Sequence, residues 1–327
     1  MTDGKQSIRI LLTSAGRRVE LLQCFRAAAA DLGVRVEILA CDLRPELSAA
    51  CHLGDRAFVV PPADDPGYAD AVLAVCEQQA VQLVVPTIDT ELIQLAHARE
   101  RFAQCGAIIA VSSPALVDIA RDKLATASFL TKCGIPSPRS ATIEAVRAAP
   151  DDWTWPLLVK PRHGSASRGI RLVNSVGELP DPASEEPLLC QERLVGQEFT
   201  VNLYFDQAGI LRCAISHQRL QVRAGEVEKG RTHRVPALED IAARLAAELP
   251  EPRGVLCFQA MLDQTGQPSM FEINARFGGG YPLAHRAGAT FTRWLMEERL
   301  GLPASAGDGW REGVVMLRYD AAVFLEP

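Results

Sequence analysis

Between residues 8 and 112, short apolar runs alternate with stretches of helical length, and this alternation narrows the fold more than any other feature of the chain. Strands are predicted at 8–12, 36–40, 58–60, 83–85 and 107–111. Helices are predicted at 17–32 (closed by Gly33), 68–79 and 91–105. Apolar strands separated by helices imply a parallel sheet covered on both faces. Such sheets bind ligands beyond the carboxyl ends of their strands. Two turns lie at that edge. Thr13–Arg18 carries one glycine, Gly16, where a dinucleotide-binding turn needs three, so NAD ranks well below the alternatives even though Asp42 ends the next strand. The turn is still able to hold an anion at a helix N-terminus. In the second turn, 87–91, Asp89 and Thr90 either face a ligand or cap the following helix.

The rest of the chain changes character. Two helices are predicted over 113–134, with Lys123 near the start of the second. A strand at 156–160 leads into a loop with Gly164 and Gly169, then a strand at 170–173 and a polar linker at 180–187. Residues 188–275 read as strands apart from one helix at 238–249. With 327 residues the chain is too long for one compact core.

Near the C-terminal end, Phe271 and Ile273 alternate with Glu272 and Asn274, the period of a half-buried strand. Glu272 and Asn274 therefore share a face and offer the oxygen ligands that a hard cation such as Mg²⁺ takes. Arg276 follows, with a planar fork of donors suited to phosphate, and then three glycines, Gly278–Gly280. The strand 254–262 and a turn at 264–267 precede this segment. If the hairpin closes symmetrically, Gln259 lies opposite Glu272, completing an oxygen-rich cluster. A solvated polar face is the alternative for the hairpin taken alone. Lys160 ends a buried strand, and its loop holds two glycines that let backbone N–H groups approach an anion; a solvated lysine in an exposed loop is the plainer account. Glu192 and Glu198 flank Gly196, where a strand edge could meet adenine and Glu198 a ribose, or both could be surface acids.

Lys123, then Lys160 with its loop, then Glu192–Glu198, then Gln259, Glu272, Asn274 and Arg276 form an ordered set. In that order the chain resembles the ATP-grasp superfamily, in particular single-copy proteins similar to half of a carbamoyl-phosphate synthase large subunit. The resemblance implies an α/β and α+β architecture: a parallel-sheet preATP-grasp domain at 1–112, a small ATP-grasp subdomain with a lid loop at 113–187, and a C-terminal subdomain with the metal site at 188–327. It implies ATP and Mg²⁺ (or Mn²⁺) as cofactors. Lys123 and Lys160 would meet the phosphates, and Gly164, Ser165, Ser167 and Gly169 would form the lid. Glu192, Arg193 and Leu194 would meet adenine and Glu198 the ribose. Gln259, Glu272 and Asn274 would hold the metal, and Arg276 and Lys160 would act on the transferred phosphoryl group. Ala275 stands where the family usually has proline, which should alter stiffness more than ligation.

The implied activity is a carboxylate–amine (or carboxylate–thiol) ligase working through an acyl phosphate. A carbamate- or carboxylate-phosphorylating kinase-like enzyme and a non-catalytic ATP-binding scaffold are the rivals. The expected partners are a small carboxylate and an amine, with a homodimer left open. Gly279, Gly280, Arg219, Arg223 and Lys229 are candidate substrate contacts, the last three otherwise a solvated charged ribbon. A net charge of −6 without a long basic run argues against nucleic-acid or anionic-membrane surfaces. No apolar run approaches the roughly 18 residues of a membrane span, and the N-terminus does not read as a signal peptide. Nine scattered cysteines without a C-x-x-C pair imply a reduced, cytoplasmic setting. The six histidines show no zinc spacing.

Overall fold

The computed structural model describes residues 6–164, 168–181 and 186–325. The chain opens with β1 (Ser7–Leu12), α1 (Val19–Leu32), β2 (Arg35–Asp42), α2 (Ala49–Leu53), β3 (Arg56–Val59), α3 (Tyr68–Gln79), β4 (Leu83–Val85), α4 (Leu92–Gln104) and β5 (Ile108–Ile109). These strands form a parallel sheet in the order β3-β2-β1-β4-β5. Ile8, Ile10 and Leu12 pack on one face and Leu11, Leu39 and Val84 on the other, so both faces are buried. Gly33 stops α1 in the left-handed conformation, its N–H reaching Ala29 and Ala30. The strand order reverses between β1 and β4. That switch point brings the turns at 13–18 and 86–91 side by side.

Two short helices follow, α5 (Pro114–Arg121) and α6 (Lys123–Lys132), capped by the side chains of Ser113 and Asp122. Next come β6 (Ser140–Thr142), α7 (Ile143–Ala148), β7 (Leu157–Pro161), β8 (Arg171–Val173) and β9 (Leu188–Glu192), with the antiparallel strand order β6-β9-β7-β8. Pairing with β7 puts β9 in this small sheet, although the sequence reading grouped it with 188–327.

The remainder comprises β10 (Gln197–Phe205), β11 (Leu211–Arg223), β12 (Glu226–Thr232), α8 (Pro236–Glu248), β13 (Gly254–Leu262), β14 (Pro268–Asn274), α9 (Tyr281–Arg286), α10 (Phe291–Leu300) and β15 (Val315–Leu317). Its antiparallel sheet runs β14-β13-β10-β11-β12-β15. One face, through Phe199, Val201, Phe258, Ala260 and Met270, shares a core with α3–α5 and α8. α9 and α10 pack with α1 in a second core. Together the three sheets give the mixed α/β and α+β architecture anticipated above. The sequence reading did not resolve α2, α7, α10, β6 or β15. Among the described residues no helix is long and apolar enough to cross a membrane.

Candidate functional site at the sheet face and switch point

The face of the large sheet turned away from the core is polar. Thr200 pairs with His217 and Gln259, Gln259 with Glu272, and Cys257 with Asn202 and Asn274. Side chains alternate along strands. Glu198, Thr200 and Asn202 therefore share this face with His217, Arg219, Gln259, Glu272 and Asn274.

The pairing of Gln259 with Glu272 depends on a bulge. Leu262 pairs with Pro268 and Ala260 with Met270, a register one residue away from the symmetric closure expected. Phe271 is then an extra residue on β14, and the shift it introduces sets Glu272 opposite Gln259. Without it Glu272 would lie opposite Phe258, on the core face.

Lys160 is buried, and its Nζ donates to Gln191 Oε1 at 2.8 Å. This overturns the reading of a solvated loop lysine. Burial pulls its pKa down to about 8; the Glu272 carboxylate opposes that and Lys123 adds to it. The Lys123 ammonium is likewise lowered, first by burial and against the pull of Glu272 and Asp89. It donates to the Gly164 carbonyl. Arg162 bonds Asp122, the cap of α6, at 2.8 Å, so the start of the loop is fastened to that helix. Gly164 and Gly169 pack on Pro161, where an added Cβ would come within 2.7 and 3.0 Å of the ring. Ser165 and Ser167 lie outside the described residues.

If Lys160 meets phosphate as the sequence reading expects, its pKa of about 8 has a measurable consequence. ATP phosphates favour the ammonium, so binding above pH 8 should draw up to one proton into the complex, and affinity should fall as pH rises further. Titration calorimetry in buffers of different ionisation enthalpy measures that uptake. For stability the sign is opposite to the usual one: between pH 8 and the ordinary lysine value the unfolded chain binds the extra proton. Lys160 therefore makes the nucleotide-free fold more stable as pH rises through that window.

Arg276 connects the sheet face to the switch point. Its Nη2 donates to Asp89 Oδ2 at 2.6 Å and to Asn274 Oδ1 at 3.0 Å. Both members of the Arg276–Asp89 pair are 13% exposed. Burial opposes the guanidinium charge, but Asp89 and Glu272 more than offset this and raise its pKa. Asp89 is therefore neither a helix cap nor a free ligand group. The helix start is held by Glu91 instead, whose buried carboxylate accepts from the N–H groups of Thr87 and Ile88 at 2.7 and 3.0 Å and from Ser14 Oγ at 2.9 Å. Asp42 likewise does not await a ribose; it accepts from the Gly16 N–H at 2.8 Å and fixes the first turn.

The remaining candidates divide. With its carboxamide oriented to satisfy both atoms, Gln259 donates to Glu272 Oε2 at 3.0 Å and accepts from Arg219 Nη1 at 2.8 Å. Arg219 is buried and also lies 3.1 Å from Glu198. It is part of the polar face, not of a solvated ribbon. Arg223 is exposed and paired with Glu228 and Asp320, and Lys229 is exposed. The Glu192 side chain accepts from the Arg139 N–H at 3.1 Å, Arg193 is exposed and Leu194 is half-buried. Gly279 and Gly280 permit close approach: a Cβ at Gly279 would lie 2.6 Å from the Glu226 carboxyl, and one at Gly280 2.7 Å from His217. Burial holds His217 neutral, with its pKa near 3.

The donor set allows a test of the metal. Among the described residues no group of three or more His, Cys, Asp or Glu side chains could hold an ion. Gln259 turns its oxygen to Arg219, which leaves the Glu272 carboxylate and the Asn274 carboxamide, whose oxygen has one lone pair beyond the one taken by Arg276. That set is too small for an all-protein cage. It fits Mg²⁺ arriving with phosphate oxygens and water, the usual manner for this ion.

Beside this cluster a cleft of about 1220 Å³ opens between the turn at 14–18, the Gly278–Gly279 segment and residues 314–323. Ile88 and Phe277, chain neighbours of Asp89 and Arg276, are among its lining residues; Lys160 and Glu272 are not.

Residues 120–280 match the ATP-grasp domain family, and residues 10–110 match the PylC-like N-terminal domain family. The chain belongs to the ATP-grasp superfamily. Its curated relatives within that superfamily are mixed. A D-alanine–D-alanine ligase of Marinobacter nauticus is 36% identical over 98 residues, 28% of this chain and 30% of the relative. A carbamoyl phosphate synthase large chain of Campylobacter jejuni is 35% identical over 83 residues, 24% of this chain and 8% of the relative. The chain thus spans less than a third of either. Among solved structures, a Campylobacter jejuni biotin carboxylase gives a TM-score of 0.74 at 13% identity, covering 93% of this chain and 73% of that one. A Bacillus licheniformis L-amino acid ligase gives 0.70 at 18% identity, covering 94% and 78%. These structures share the ATP-grasp fold, and they do not single out the carbamoyl-phosphate synthase branch.

Proposed function

We propose that this ATP-grasp protein is an ATP- and Mg²⁺-dependent ligase that activates a carboxylate as an acyl phosphate and joins it to an amine or a thiol. One observation carries the reading. Two cations, the buried Lys160 and the half-buried Lys123, lie within electrostatic reach of Glu272 on the sheet face that also presents Asn274 and the paired Arg276. Phosphoryl transfer needs positioning and charge neutralisation more than it needs a protein nucleophile. The lysines would hold the phosphate chain, with Glu198 and the 192–194 backbone toward the nucleoside. Bound through Glu272 and Asn274, Mg²⁺ would neutralise phosphate charge. A substrate carboxylate oxygen attacks the γ-phosphorus, and the bond to the ADP oxygen breaks. The incoming amine or thiol then attacks the acyl carbon, loses its proton and expels inorganic phosphate. Arg276, held in place by Asp89, steadies the transferred group.

The first test is thermal. ATP with Mg²⁺ should raise the melting temperature by several degrees, because a ligand bound only to the native state stabilises it by mass action, and NAD should not. Tight NAD binding without ATP binding would overturn the reading. Product stoichiometry then separates a ligase, whose phosphate release requires both co-substrates, from a phosphorylating enzyme that needs one.

A further inference from the structure

The cleft beside the catalytic cluster contains a group of arginines that the phosphoryl-transfer chemistry does not use. Arg18, at the start of α1, places Nη1 3.0 Å from Glu226 Oε1. Arg318 places its Nη1 2.9 Å from the other oxygen of the same carboxylate, and its Nη2 on the Gly279 carbonyl. Arg318 is held there because β15 pairs with β12 and its own N–H bonds the Glu228 carbonyl at 2.9 Å. Arg17, exposed at the rim, acts electrostatically on Glu226 as well. One carboxylate thus pairs directly with two guanidiniums, while Arg17 is felt by both Glu226 and Asp320. The other acids lining this part of the cleft do not restore the balance: Glu228 and Asp320 are engaged by Arg223, and Glu20 is exposed at the outer rim.

The imbalance extends inward. Burial lowers the pKa of Arg18; Glu226 and, more weakly, Asp89 counter this, and Arg276 and Arg318 are both close enough to repel its charge. Arg18 and Arg318 are 19% and 28% exposed, in contact with solvent through the cleft. Arginine forks match carboxylate and phosphate oxygens. Gly279 leaves room for Glu226 to hold the two forks apart, because a side chain there would meet the carboxylate.

We propose that this cleft binds a co-substrate bearing an anionic group, carboxylate or phosphate, remote from its reacting end, and that Arg17, Arg18 and Arg318 hold that group. The reacting end then lies toward Ile88 and Phe277, next to Arg276. The inference rests on the ligase reading and specifies the substrate class.

Calorimetry in the presence of Mg²⁺ and a non-hydrolysable ATP analogue, which fills the phosphate site, tests it with three probes: succinate, inorganic phosphate and uncharged succinamide. Succinate or phosphate should bind one to one and succinamide should not. The tighter of the two anions identifies whether the group is a carboxylate or a phosphate. In Arg18→Gln the anion affinity should fall about tenfold or more, as for loss of a charge-assisted hydrogen bond. Affinity for the analogue should stay within about twofold, because the sites are separate. Arg17→Gln, at an exposed position, should shift affinity in the same direction and decides the matter if Arg18→Gln does not fold. Binding of the analogue with no binding of either anion overturns the inference, as does unchanged anion affinity in the folded variants. Failure of the analogue itself to bind overturns the ligase reading instead.

Discussion

Replacing Glu272 by alanine should reduce ATP-dependent ADP formation by on the order of 10²–10³-fold, the size of effect seen when one preorganised electrostatic group is removed from a transition-state site. Glu272 supplies the single carboxylate among the metal ligands proposed here and is the counter-charge for both lysines. Its loss should lower the Lys160 pKa below 8, so that proton uptake on nucleotide binding grows and moves to lower pH. Glu272→Gln separates the two roles: it keeps a hydrogen-bonding partner for Gln259 and removes the charge. Both variants should melt close to the wild type, since the side chain is half-exposed. Steady-state ADP release with a Mg²⁺ titration measures this, and normal turnover with normal Mg²⁺ dependence in Glu272→Ala would reduce Glu272 to a surface acid.

Asp89→Ala should be the most destabilising single change in the site, by about 3–5 kcal/mol, because it leaves the Arg276 guanidinium buried without its carboxylate. Against a total stability of roughly 5–15 kcal/mol for a domain, that is a large fraction. The urea midpoint of the variant reads it. The double variant Asp89→Ala/Arg276→Met should recover much of the loss, since a buried pair contributes far less than breaking it costs. A double variant as unstable as Asp89→Ala would place the effect in the turn rather than in the ion pair. ADP formation should stay low in both, because Arg276 is misplaced in one and missing in the other.

The alternation that predicts the first sheet is local, and the structure follows it closely: the predicted helix at 68–79 coincides with α3 and the strand at 83–85 with β4. The face shared by Glu272 and Asn274 was equally legible, because it depends only on strand period. What was not legible was contact between distant residues. Arg276 meets Asp89 across 187 positions and Arg18 meets Glu226 across 208. Arg276 alone reads as a phosphate clamp and Asp89 as a cap or a ligand contact, while Arg18 and Glu226 carry no local signal of a partner. Gln191 was visible only as a strand residue, and its role as the partner of Lys160 requires β7 and β9 to be neighbours. β15 and α10 were missed because their pattern is set by packing on the large sheet and on α1, not by strong local periodicity.

The single extra residue at Phe271 has implications for how this hairpin can vary. Met270 and Ile273 both point to the core although they are three positions apart, and that spacing is possible only while the insertion persists. Closing the ladder at the same length without the bulge would turn Glu272 and Asn274 toward the α5–α6 side and bring apolar groups to the polar face. Removing Phe271 itself would instead restore regular alternation with Glu272 still opposite Gln259. A deletion between Glu272 and Asn274 has no such escape, because it separates the two side chains onto opposite faces. A functional descendant of this sequence can therefore lose the bulge residue but not Ile273.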